Sequence, residues 1–150
     1  MAVKPIPDQY HAVTPYLLGS GTLKLIDLLK KAFDAIETER VMGQGGTVMH
    51  AEVRIGDSML MLSDGGGDWK PMPTVLYLYV TDADAMYKRA LAAGATSVVE
   101  PVTQFYGDRH GGVKDPSGNV WWIATHVEDV SPEELKKRAE EYLRKQQSKG

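Results

Sequence analysis

The chain has 150 residues, no cysteine, a formal net charge of −3 and a sequence pI near 5.8, with 43% hydrophobic and 25% charged residues. That composition fits one globular domain or two half-domains sharing a core, and it excludes disulfides, thiolate catalysis and thiolate metal sites. It offers no general attraction to nucleic acid or anionic membrane. No apolar run approaches the roughly 20 residues of a membrane span, and MAVKPIPDQY has no apolar signal core, so a cytoplasmic location is expected, with neither nucleic acid nor membrane as partner.

In chain order, residues 1–9 carry prolines and read as extended. HAVTPYLL (11–18) reads as a strand interrupted by Pro15. A helix follows, with Ser20 or Thr22 as its N-cap and Leu25 or Ile26, Leu29 and Phe33 at helical spacing. A short strand at 37–42 leads to a turn at Gly43-Gln44-Gly45-Gly46. Strands at 47–55 and 58–63 join at Gly56-Asp57. Alternation on the first sets Val48, His50, Glu52 and Arg54 on one face and Met49, Ala51, Val53 and Ile55 on the other. Asp64 to Pro73 (DGGGDWKPMP) has the composition of a linker.

The order then begins again. A strand at 74–80 precedes a helix from an Asp82 N-cap to Ala93, with Gly94 as its stop. A short strand at 96–100 and the hairpin FYGDRHGGVKDPSGNVWWIATH follow, turning at Asp115-Pro116-Ser117-Gly118. Tyr106, Gly107, Asp108, Arg109 and His110 beside that hairpin suggest the wall of a ligand pocket, and Asp115 reads as a turn former. Ser131, Pro132 and Glu134 form a helix start with a capping box. That helix, to Gln147, has a solvated charged face and an apolar stripe of Leu135, Ala139, Tyr142 and Leu143.

The pattern is β-α-β-β-β, linker, β-α-β-β-β, with corresponding features recurring about 60 residues apart. The expected fold class is α+β: two βαβββ modules forming an incomplete barrel around a cavity, plus a C-terminal helix. Residues 1–150 then make a single domain, with module 1 at about 8–63, a linker at 64–73, module 2 at about 74–126 and the helix at about 131–147.

With this duplicated pattern, HAVTPYL, MHAEVRIGDSMLML, LYVTDADAMYKRALAAGA and QFYGDRHGGVKDPSGNVWWIATHVEDVSPEE resemble the vicinal oxygen chelate superfamily, which includes glyoxalase I, bleomycin-resistance proteins and extradiol dioxygenases. The PhnB-like, glyoxalase/bleomycin-resistance-like branch is the nearest match, over about residues 4–135. Metal enzymes of the superfamily place ligands on the first and fourth strands of each module. The resemblance carries those positions onto His11, Met61, the neighbourhood of Val75, and Trp122. One imidazole with a thioether, a valine and an indole does not suit a hard divalent ion, so no metal cofactor is expected. The alternative is a displaced divalent metal site using His11, His50 and Glu52.

The resemblance also places Tyr106 and Arg109 at the cavity, where an arginine can grip an anionic oxygen; pairing of Arg109 with Asp108 or Glu52 is its structural alternative. By the same register Trp122, Met59 and Met61 form an apolar wall, and Val75, Tyr77 and Tyr79 face inward. His126 reads as a loop or capping residue. The candidate ligand-binding residues are therefore His11, His50, Glu52, Met59, Met61, Tyr77, Tyr79, Tyr106, Arg109 and Trp122. Three functions are open: a metal-independent binder of an aromatic or anionic small molecule, expected as a homodimer; an enzyme of lyase, isomerase or dioxygenase type using a displaced metal or His/Tyr acid–base chemistry; and an assembly or regulatory domain whose barrel is filled.

Overall fold

The computed structural model describes residues 2–149. In chain order it contains β1 (Tyr16–Gly19), α1 (Thr22–Phe33), β2 (Ile36–Met42), a 3-10 turn (Gln44–Gly46), β3 (Val48–Ile55), β4 (Ser58–Asp64), β5 (Val75–Tyr79), α2 (Ala83–Ala92), β6 (Thr96–Thr103), β7 (Asp108–Lys114), β8 (Val120–His126) and α3 (Pro132–Gln147). The strands form two four-stranded sheets, β1-β4-β3-β2 (sheet 1) and β5-β8-β7-β6 (sheet 2), with no strand pairing between them. In each sheet the first strand runs parallel to the fourth and the rest is antiparallel. This is an α+β fold of two βαβββ modules followed by a C-terminal helix.

The modules meet through their helices, which pack on each other while each covers one face of a sheet. Leu25, Ile26, Leu28, Leu29, Ala32 and Phe33 are all buried on α1, a stripe wide enough to serve its own sheet and the second module together. Phe33 reaches Trp121 of β8 with ring centroids 5.1 Å apart, and one hydrophobic cluster spans both modules. The indole N–H of Trp121 donates to Asp115 at 2.8 Å, and that carboxylate also accepts the backbone N–H groups of Ser117 and Asn119. The β7–β8 turn is thereby fastened to the core.

Four local expectations change. The first strand starts at Tyr16 because Pro15 has no N–H to give; its carbonyl instead accepts from Met61 N at 3.0 Å. His11 is left outside the sheet and exposed. Neither Ser20 nor Thr22 caps α1: Gly21 occupies the N-cap in the left-handed region, and Asp64, expected in the linker, accepts Thr22 N at 3.0 Å and Val48 N at 2.8 Å. Burial pushes the Asp64 carboxyl up, but the hydrogen bonds from Val48 and Thr22 outweigh it and hold it below the usual value.

On β3, Val48 is 1% exposed and Met49 is 63% exposed, the reverse of simple alternation. The register shifts between Val41 and Met42, so an irregularity opposite them turns Met49 outward, and regular alternation resumes at His50. Finally, β6 runs on to Thr103 through Pro101, which an edge strand with two register shifts accommodates.

α3 begins with the expected serine cap, Ser131 Oγ accepting Glu134 N at 3.2 Å, while the Glu134 carboxylate, expected to complete a capping box, turns to Arg138. It buries no residue and is tethered by Tyr142 against Phe105 and by Arg138, which donates to the Phe105 carbonyl and pairs with Glu128 and Glu134. The sheet faces away from α1 and α2 stay uncovered, and these open faces carry the candidate site.

Candidate functional site

Register builds the open face of sheet 2 in rows. Tyr77 lies level with Trp122, which lies level with Gly112; Tyr79 lies level with Ala124 and His110; Asp108 lies level with His126. Gly112 makes room for the indole, since a Cβ there would stand 2.7 Å from the Trp122 ring. Trp122 stacks on His110, with centroids 4.9 Å apart and planes 24° apart. Only glycine in that row lets the tryptophan lie there.

A buried carboxylate organises the polar groups. Asp108 is 4% exposed. Its Oδ2 accepts both Tyr77 Oη and Tyr79 Oη at 2.8 Å, and its Oδ1 lies 2.8 Å from His126 Nδ1. His126 Nε2 lies 2.7 Å from Asp129. Burial alone would raise the Asp108 carboxyl, but hydrogen bonds from His126, Tyr77 and Tyr79 outweigh it and keep it ionised below the usual range. His126 is raised, first by its bond to Asp108 and then by Asp129. Burial and then Asp108 push Tyr77 up; the bond to Asp108 does the same for Tyr79.

His110 titrates the other way. Burial lowers it, against the pull of Asp108, which favours the neutral ring. Its Nε2 is 3.1 Å from the Gln104 amide nitrogen, and its Nδ1 is 3.3 Å from Tyr77 Oη and 3.5 Å from Tyr106 Oη. Because the Tyr77 proton goes to Asp108, the donor pattern assigns the His110 proton to Nδ1, leaving Nε2 to accept from Gln104. The phenols are thus fixed as donors to Asp108.

Sheet 1 repeats part of this plan. Tyr16 lies level with Met61, which lies level with Glu52. The same interval separates Tyr16 from Tyr77 and Met61 from Trp122. Tyr16 and His50 have ring centroids 6.1 Å apart, as Tyr77 and His110 have at 5.9 Å. Glu52 occupies the place of Gly112, and its carboxylate lies 3.4 Å from His50 Nε2. The linker runs beside the free edge of β1, with Met72 N donating to the Leu18 carbonyl at 2.8 Å. Together they bound a groove of about 1040 Å³ lined by Tyr16, Met49, Ser63, Trp69 and Met72.

The structure brings Tyr77, Tyr79, Tyr106 and Trp122 together on sheet 2, and His50, Glu52 and Met61 together on sheet 1, with Met59 level with Arg54 on the same sheet. His11 joins neither. Arg109 stands on the opposite side of β7 from Asp108 and His110 and forms a two-pronged pair with Asp84 of α2 at 2.7 and 2.9 Å, so its partner is neither Asp108 nor Glu52. His126 belongs to β8 rather than to a loop. Sequence reasoning set Asp108 and His110 in the pocket-wall cluster but not among the ligand-binding candidates, read His126 as a loop or capping residue, and passed over Gln104. The alternation of Asp108, Arg109 and His110 carried the signal, but it needed the register with Trp122 to say which face was which.

The residue on β1 level with Met61 is Tyr16, not His11. The first- and fourth-strand positions facing outward are therefore Tyr16, Met61, Tyr77 and Trp122, and two phenols, a thioether and an indole do not fit a hard divalent cation. Among the described residues no three His, Asp or Glu side chains are grouped to hold a metal, and His11, His50 and Glu52 do not converge.

Residues 22–123 match the Glyoxalase/Bleomycin resistance protein/Dioxygenase superfamily. An uncharacterised protein of Mycobacterium bovis is 39% identical over 135 residues, 83% of this chain and 89% of that protein. The chain belongs to this superfamily. Among solved structures, TnmS3, an antibiotic binding protein from Streptomyces sp. CB03234, aligns with a TM-score of 0.61 at 22% identity, covering 84% of this chain and 98% of that one. A putative 3-demethylubiquinone-9 3-methyltransferase, PhnB protein, from Bacillus cereus aligns with a TM-score of 0.59 at 19% identity, covering 77% and 99%. At those identities the two structures establish the shared fold. Among the described residues no helix is long and apolar enough to cross a membrane.

Proposed function

We propose that the protein binds a small molecule with a planar aromatic part, without a metal ion, on the open face of sheet 2. The observation that carries this reading is the Trp122–His110 stack over Gly112, flanked by Tyr77 and Tyr79 pinned to Asp108. Rigid ring faces with a few fixed polar atoms suit recognition of a small ligand. The tyrosines are committed to Asp108 and His126 is bracketed by two carboxylates, which favours binding over proton transfer. The likeness to TnmS3 supports the same reading.

The open faces also carry outward apolar groups, including Trp69 at 75% exposure, Met72, Val75 and Tyr79. Faces of that kind mark interaction surfaces, and a homodimer in which the two sheets of different copies oppose each other would enclose the ligand. Titrating tryptophan fluorescence with a panel of planar aromatic antibiotics tests the binding reading. A saturable response lost in Trp122→Leu is expected, and no response to any of the panel overturns it. Stoichiometric metal in untagged protein, lost on His11→Ala, would overturn metal independence.

A further inference from the structure

The arginine expected to hold an anion, Arg109, is turned away, and the structure offers another. Arg40 pairs with Glu37, Arg89 with Asp34, Arg109 with Asp84, and Arg138 with Glu128 and Glu134. Among the described residues Arg54 and Arg144 have no ion pair; Arg144 is exposed on α3, whereas Arg54 is half-buried. Its cross-strand neighbours on β3's two sides are Ile36 and Met59, both apolar. Glu52, two residues away on the same face, is engaged with His50. A partly desolvated guanidinium without a counter-ion is costly to keep, and a bound carboxylate would offset that cost.

Arg54 lines a cleft of about 600 Å³ where the β3–β4 turn of module 1 faces the free edge of β5. Tyr77 and Tyr79, whose ring centroids are 5.2 Å apart, are among the residues lining the same cleft, so an arginine without an ion-pair partner and two tyrosines border one cavity. The volume matches a small ligand. Asp57, exposed at the turn, and Asp34, held by Arg89, are the acidic groups that also line it.

We propose that Arg54 is the anion anchor of this protein: an aromatic carboxylate binds in the cleft between the modules, its oxygens on the Arg54 guanidinium and its ring against Tyr77 and Tyr79. This rests on the small-molecule reading above and names its ligand class. A two-pronged arginine–carboxylate contact fixes orientation as well as affinity, and the tyrosine rings supply the flat wall.

Calorimetric titration of the full chain with 2-naphthoate and 2-naphthol, at fixed ionic strength, tests it. Naphthoate should bind about ten-fold or more tighter than naphthol, as expected for one charge-assisted contact. Arg54→Gln should abolish that preference while leaving naphthol affinity within about two-fold, and Arg54→Lys should retain part of it. Asp57→Asn, at an exposed turn, should tighten naphthoate about two-fold by removing a like charge, and Arg109→Gln should change neither probe. Equal affinity of wild type for the two probes overturns the anchor but leaves the aromatic-binding reading standing. Loss of the preference in Arg109→Gln, or an unchanged preference in Arg54→Gln, also overturns it. Binding of neither probe overturns the anchor and counts against the aromatic site as well.

Discussion

Two sheets with one topology present two different surfaces. Each open face carries a tyrosine on its first strand near a histidine on its third, Tyr16 with His50 and Tyr77 with His110. Two positions separate their chemistry, Glu52 against Gly112 and Met61 against Trp122. Glu52 in sheet 1 lies beside His50, its carboxylate 3.4 Å from Nε2, while Gly112 in sheet 2 yields its space to Trp122, which stacks on His110. The duplicated framework fixes where side chains emerge, and single residues decide whether a face becomes a polar pair or an aromatic platform.

The largest test of this asymmetry lies beneath the faces. Trp121 and Leu60 occupy matching core positions of the two modules, both buried. Trp121→Ala should cost about 3–5 kcal/mol and Leu60→Ala about 2–5 kcal/mol in urea unfolding. Trp121 should be the greater loss because its removal also takes from the buried Asp115 Oδ2 one of its two side-chain donors, leaving only Asn119. A smaller loss for Trp121 would mean that the second module does not carry the heavier share of the core.

Asp108→Asn should cost about 1–3 kcal/mol, since it removes a buried acceptor serving two phenols and an imidazole. Phenolate absorbance against pH should then show Tyr77 and Tyr79 ionising at lower pH than in the parent, because the carboxylate that raises them is gone. An unchanged titration would break the assignment of these hydroxyls to Asp108. Gly112→Ala should cost about 1–3 kcal/mol through overpacking against Trp122, with a changed near-ultraviolet tryptophan signal. Glu52→Gly in sheet 1 should leave that signal unaltered.

The smallest effect is in pH. The folded value of His126 is raised, so its stabilising contribution is complete below the unfolded histidine value of about 6.5 and disappears as pH climbs through the folded value. Asp108, held low, stays ionised throughout that window. Wild type should therefore exceed His126→Gln in denaturation midpoint most at pH about 5.5–6, with the gap narrowing at higher pH. The opposite shift of His110 is present in both proteins and leaves the difference unaffected. A gap that widens with pH would show that His126 is not the proton carrier of this network.

Much of the fold was legible because its signals are local. Asp82 and Ser131 cap their helices as their sequence contexts demand, and Gly118 adopts a positive φ of 88° in the Asp115 turn. Signals that depend on partners were not legible. Asp64 looked like linker until its carboxylate met the first turn of α1, and Met49 shared a face with Ala51, Val53 and Ile55 by alternation until the irregularity opposite Val41 turned it out. In the candidate site, the register taken from the resemblance set Tyr77 and Trp122 on one face, where the structure has them level, whereas Arg109, which the resemblance placed at the cavity with Tyr106, alternates on β7 with Asp108 and His110 and pairs with Asp84 instead.

The sequence by itself determined the duplicated βαβββ framework and the starts of α2 and α3, because periodicity and caps are properties of neighbours along the chain. The tertiary structure alone decided that Asp108 gathers two tyrosines and a histidine, that Arg109 belongs to Asp84, and that Arg54 is left without a partner beside Tyr77 and Tyr79. Those outcomes depend on strand register and on how the two modules meet. Hydrogen bonds and ion pairs act over a few ångströms between residues far apart in sequence, and only folding sets those distances.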